Sequence, residues 1–169
     1  MNLHDYIPEG VEVVYMCIGT DRSTGDCLGP LVGSKLKEFG VPNVYGTLKD
    51  TVHAVNLREK TSLIDSEHPD AFVVAIDASL GSFSKVGKIS FGTGPLNPGA
   101  GVGKDLPGVG NINICGVVNV AGFMEYYVLQ NTKLSLVMEM ADEIVSEILR
   151  FHLQREVASQ YEGVQMEGE

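Results

Sequence analysis

Two runs, Val11-Glu-Val-Val-Tyr-Met-Cys-Ile18 and Ala71-Phe-Val-Val-Ala-Ile-Asp77, are β-branched and apolar almost without a break. A strand with one wet face alternates apolar and polar residues, so unbroken runs belong to strands covered on both faces, as in parallel sheets. Each run leads into a polar turn, and the first is followed by a helical pattern from about Asp26 to Phe39. Leu28, Val32, Leu36 and Phe39 form one stripe there and Gly40 the stop. Pro30 fits because it falls in the first turn, where its missing N–H costs little. Val44 to Leu48 reads as a short strand and Val55 to Glu67 as a helix. Two strand-helix-strand units in series predict an α/β fold, a three-layer sandwich with a mostly parallel central sheet and right-handed crossovers.

Beyond Asp77 the pattern loosens. Lys88 to Phe91 is a brief strand, and the stretch from Gly92 to Gly110 holds seven glycines and three prolines, too many for regular structure. Long loops of this kind in compact domains are often binding segments or lids. Ile112 to Val118 returns to strand character and Ala121 to Asn131 reads as a helix. Ser135 is expected to cap a long amphipathic helix with Val137, Met140, Ala141, Ile144, Val145 and Ile148 inward. From about Val157 the chain reads as a flexible acidic tail on a single 1–169 domain.

Composition narrows the function. Twelve Lys and Arg against 22 Asp and Glu give a net charge of −10, which opposes binding to phosphate backbones, so no nucleic-acid partner is expected. No apolar run reaches the roughly 18 residues of a membrane span, and the first ten residues lack a signal-peptide layout, so a cytoplasmic protein is expected. Cys17, Cys27 and Cys115 form no C-x-x-C pair. Cys17 and Cys115 lie in apolar runs and read as core thiols.

Asp26 and Asp77 each follow a predicted strand. If those strands are neighbours, both carboxylates face the crevice at the strands' carboxyl ends, where open α/β sheets bind ligands. Asp26 is equally well explained as a helix cap. An acid at the mouth of a buried strand is harder to explain structurally, because an unpaired charge there is costly. Other signatures fail by inspection. Gly99-Ala-Gly-Val-Gly103-Lys104 departs from a phosphate loop at Pro98 and Asp105. His4, His53, His68 and His152 are scattered and read as solvated, there is no G-x-S-x-G elbow, and Cys27 has no histidine near it in sequence.

Three blocks, Cys17 to Gly33, Ala75-Ile-Asp-Ala78 and Asn97 to Lys104, together resemble the YyaC-type sporulation protein family. More distantly they resemble the germination protease of spores and the hydrogenase maturation proteases. The resemblance implies a phosphorylase/hydrolase-like α/β domain. It also implies that Asp26 and Asp77 match the germination protease's two catalytic aspartates, and that the Pro98 to Gly103 loop borders the substrate. Maturation proteases carry two acids and a histidine that hold a metal, and here Asn97 stands where that histidine falls. The germination protease is made with a removable N-terminal segment, whereas this first strand begins about ten residues in, so activation by trimming is not expected.

These readings combine into a peptidase of sporulating bacteria, working in the mother cell or forespore on a protein substrate such as the small acid-soluble spore proteins. Asp26 and Asp77 would share one proton, one acting as base toward water and the other as acid. Gly19, Thr20, Asn97, Pro98, Gly99 and Gly101 are the expected substrate contacts, with main-chain amides near Gly19 and Thr20 facing the oxyanion. No cofactor is expected. Three alternatives stay open: a non-catalytic peptide-binding sporulation protein, a maturation-type protease with a divalent metal on Asp26 and Asp77, and self-association into a homo-oligomer.

Overall fold

The computed structural model describes residues 2–98 and 108–166. Its sheet has five strands in the order β2-β1-β3-β5-β4. They are β1 (Val13–Cys17), β2 (Val44–Tyr45), β3 (Phe72–Gly81), β4 (Ile89–Thr93) and β5 (Ile112–Val120). All pairings are parallel except that of β4 with β5. The helices are α1 (Leu28–Glu38), α2 (Leu57–Glu67), α3 (Glu125–Gln130) and α4 (Leu134–Met166). This is the α/β, mostly parallel arrangement expected from the two apolar runs.

The side-chain alternation of the central strands explains their unbroken apolar sequence. Tyr15, Cys17, Val74 and Ile76 join Leu28 and Val32 of α1 and Ile144 and Ile148 of α4 in one cluster. Val14, Met16 and Ala75 join Leu57 and Ile64 of α2 in another. Both faces are therefore dry, and a polar residue on either would need a partner.

Several elements differ in extent from the sequence reading. β3 does not stop at Asp77 but continues to Gly81, because β5 pairs with it beyond the point where β1 ends. Asp77 is thus an interior strand residue. The strand expected over 44–48 is reduced to Val44–Tyr45, since Gly46 takes φ +92° and turns the chain. α4 begins at Leu134, ahead of Ser135, and continues past Val157 to Met166. Among the described residues no helix is long and apolar enough to cross a membrane.

α1 lies unusually close to β1, and two glycines one turn apart allow it. A Cβ on Gly29 would sit on the Ile18 carbonyl oxygen, and one on Gly33 on that of Gly46. Nothing larger fits without pushing the helix off the sheet. Gly33→Ala is expected to cost about 2 kcal/mol or more through this overpacking. Urea unfolding should show a lower midpoint with the slope unchanged.

Candidate functional site

The chain leaves β1 to build β2 on one side and later returns to build β3 on the other, so the strand order reverses between β1 and β3. Crossovers diverge to opposite faces there, opening a crevice at the carboxyl ends. Three segments converge on it. The turn after β1 is pinned by Gly19 N–H donating to the Val52 carbonyl (2.8 Å) and Thr20 N–H donating to the Asp26 carbonyl (3.1 Å). Gly19 takes φ +147°, and any Cβ there would strike the Asp26 carbonyl. That closure carries Asp26, in the 3-10 turn Gly25–Cys27, onto β3.

Asp26 does not cap α1: neither the 3-10 turn nor the helix has a side-chain capping hydrogen bond. The cap explanation of this residue is therefore set aside. Asp77 is 9% exposed, and its carboxylate accepts the Ala78 N–H at 2.8 Å. Burial and then the nearby charge of Asp26 push the Asp77 carboxyl well above the usual carboxylate range, against the pull of the Ala78 amide. Asp26 is also raised by burial, but the Thr20 amide and the charge of His53 ease it back. The two acids are electrostatically coupled and unequal, Asp77 holding its proton more tightly.

The other expected contacts divide. The Gly19 and Thr20 amides are spent on the turn itself, so they lock its shape and are not free to donate to an oxyanion. Asn97 is exposed and Pro98 buried, at the foot of the long loop. That foot is closed by the Leu96–Val109 bridge, and Val109 packs in the cluster with Ala75, two residues before Asp77. Gly99 and Gly101 lie outside the described residues.

His53 reads from sequence as solvated, yet its charge acts on Asp26. Val52 bridges Ile18 and is fully buried, which brings His53 to the carboxyl end of β1. Its main-chain N–H donates to Asn56 Oδ1 (2.8 Å), and the Val55 N–H lies 3.2 Å from its Nδ1. The buried Val52 was a sequence signal for this placement, but a single apolar residue does not announce a strand bridge. His68 and His152 are also partnered, His68 by Tyr45 and Glu12 and His152 by the Tyr15 hydroxyl. Cys115 is not a core thiol: it stands in register beside Asp77 and is half-buried. Cys27 is no activated thiolate, since burial and the charge of Asp26 push its thiol up.

With this geometry the chain can be compared with known proteins. It belongs to the family described as "Protein of unknown function (DUF1256)", whose pattern matches residues 2–147. Within it the chain is YyaC-like: it is 59% identical over 135 residues to the "Uncharacterized protein YyaC" of Bacillus subtilis (strain 168), a match covering 79% of this chain and 66% of that protein. The match thus spans slightly under two thirds of the relative's length. In fold it is similar to the [NiFe] hydrogenase maturation protease HycI from Thermococcus kodakarensis KOD1, with TM-score 0.55 and 18% identity, covering 88% of this chain and 97% of that one.

Asp77→Asn keeps an acceptor for the Ala78 amide and removes the ionisable group. An acid with a raised folded pKa stabilises the fold fully below its ordinary pKa of 3.8, and that stability is lost as pH rises through the raised value. Asp77→Asn should therefore melt above the parent at neutral pH, by about 1.4 kcal/mol for every factor of about ten by which folding weakens the acid. The advantage should vanish as pH falls to 3.8, in thermal melts across that range.

Proposed function

We propose that this chain is a peptidase in which Asp26 and Asp77 work as a proton-sharing pair on a peptide bond of a protein substrate. The observation that carries the reading is a buried, proton-holding Asp77 coupled to a more easily ionised Asp26 at the sheet's switch point. Unequal acids at one site divide the labour of hydrolysis. Asp26, as carboxylate, takes a proton from water while the water oxygen bonds to the carbonyl carbon. Asp77 gives its proton to the carbonyl oxygen, forming a gem-diol; as the C–N bond breaks, the Asp26 proton passes to the departing nitrogen and one gem-diol hydroxyl returns its proton to Asp77, leaving a carboxylic acid and an amine. His53 is a positioning residue whose charge eases the ionisation of Asp26 against the effect of burial.

The maturation-protease-like fold and the resemblance of both acids to those of the germination protease support the reading. A protein of spore-forming cells is the proposed substrate, met in the cytoplasm. Among the described residues no three His, Cys, Asp or Glu side chains gather as a metal site, and Asn97 is a weak donor where a maturation protease has histidine. No step of the proposed reaction is assigned to an ion.

The test is cleavage of a peptide library and of purified small spore proteins by the intact chain. Asp26→Asn and Asp77→Asn should each lower turnover by at least a thousandfold while the circular dichroism spectrum is kept; unchanged turnover in either sinks the pair. His53→Ala should move the acid limb of the rate profile to higher pH, because Asp26 loses the charge that eases its ionisation. A profile that falls in height without moving would reduce His53 to a structural residue.

A further inference from the structure

Among the described residues the packing around α2 covers only one half of the sheet's face on that side. The apolar cluster there reaches Ala75 and Val109. Beyond it the register sets Asp77 beside Cys115 and Cys115 beside Ser90, then Ser79 beside Val117. Ile76, Ile114 and Phe91 point into the opposite core, so Asp77, Cys115 and Ser90 share the open face. A cavity of about 550 Å³ lies along it, lined among others by Ser79, Ser82, Lys85, Lys88, Ser90 and Val117.

Its charge is opposite to that of the molecule. The chain carries −10 overall, yet among the described residues no Asp or Glu lines this cavity and two of the chain's twelve basic residues do. Among the described residues neither Lys85 nor Lys88 has a carboxylate ion-pair partner. Strand geometry sets the distance from the acids. Ser79 is two residues beyond Asp77 on the same face, roughly 6.6 Å along the strand, which is also the repeat between like-facing side chains of an extended peptide.

We propose that this open half-sheet is a subsite for an acidic side chain of an extended peptide, about two residues from the bond held at Asp26 and Asp77, with Lys85 and Lys88 as its counter-charges and Val117 as its apolar floor. The proposal rests on the peptidase reading for what is cut, and on the cavity alone for what is bound. The substrate class it names is a peptide with Glu or Asp at one fixed position. A basic partner, which the net charge of the chain would otherwise favour, is disfavoured at this place.

The experiment uses the full chain carrying Asp26→Asn, so that probes survive, and fluorescein-labelled decapeptides of one sequence with Glu, Gln or Lys stepped through each position. Anisotropy should show the Glu peptide binding at least tenfold more tightly than its Gln counterpart at one position. Lys85→Glu/Lys88→Glu should abolish that preference and favour the Lys peptide, and the milder Lys85→Gln/Lys88→Gln should remove it without reversal. Equal binding of all three peptides, or a preference untouched by either double variant, overturns the subsite. Parallel cleavage assays with the unmodified chain separate the two readings. Turnover without charge preference leaves the acid pair standing and removes the subsite; charge-dependent binding without turnover of any peptide does the reverse.

Discussion

A carboxyl group can occupy the middle of a buried strand only if it stays neutral or is paired, and among the described residues Asp77 has one main-chain N–H and no cation partner for the task. Its proton is the cheapest solution. The arrangement around it follows from that constraint: β3 must outrun β1 so that position 77 reaches the crevice, and Asp26 must be near enough that both acids are not ionised together.

Where Asp26 sits is decided by main-chain contact. Gly29 and Gly33 let α1 settle on β1, and Gly19 lets the preceding turn fold under the Asp26 carbonyl. Three absent side chains thus let the main chain close up around this turn. The asymmetry of the two acids follows from their places: each has a main-chain amide to ease it, Thr20 for Asp26 and Ala78 for Asp77, but the charge of His53 eases Asp26 in addition, whereas the charge of Asp26 raises Asp77 further.

The central strands, α1, α2 and the class of fold were legible because continuous apolar runs and the 3.6-residue stripe depend only on local sequence. The two aspartates stood out as candidates for the same reason, since each comes after such a run. What escaped depends on partners far along the chain. β3 reads as ending at Asp77 because the next residues, Ala78 to Gly81, are small or polar, and only pairing with β5 keeps them extended. His53 looks solvated until the Ile18–Val52 bridge is known. Cys115 looks like a core thiol because Ile112 to Val118 is apolar, though its own face lies past the end of the α2 cluster.

That misplaced cysteine bears on how the crevice handles charge. Burial and then the charge of Asp77 push the Cys115 thiol up to about 12, so it stays protonated beside its neighbour. The row Asp77, Cys115, Ser90 is thereby uncharged whenever Asp77 holds its proton, and the charged groups described around it include Asp26 with His53 toward β1 and Lys85 and Lys88 in the cavity beyond Ser79. A serine at 115 would hydrate the row, and a charged residue would compete for the proton of Asp77. A weakly polar thiol does neither, which leaves Asp26 as the charged group that chiefly sets the protonation of Asp77.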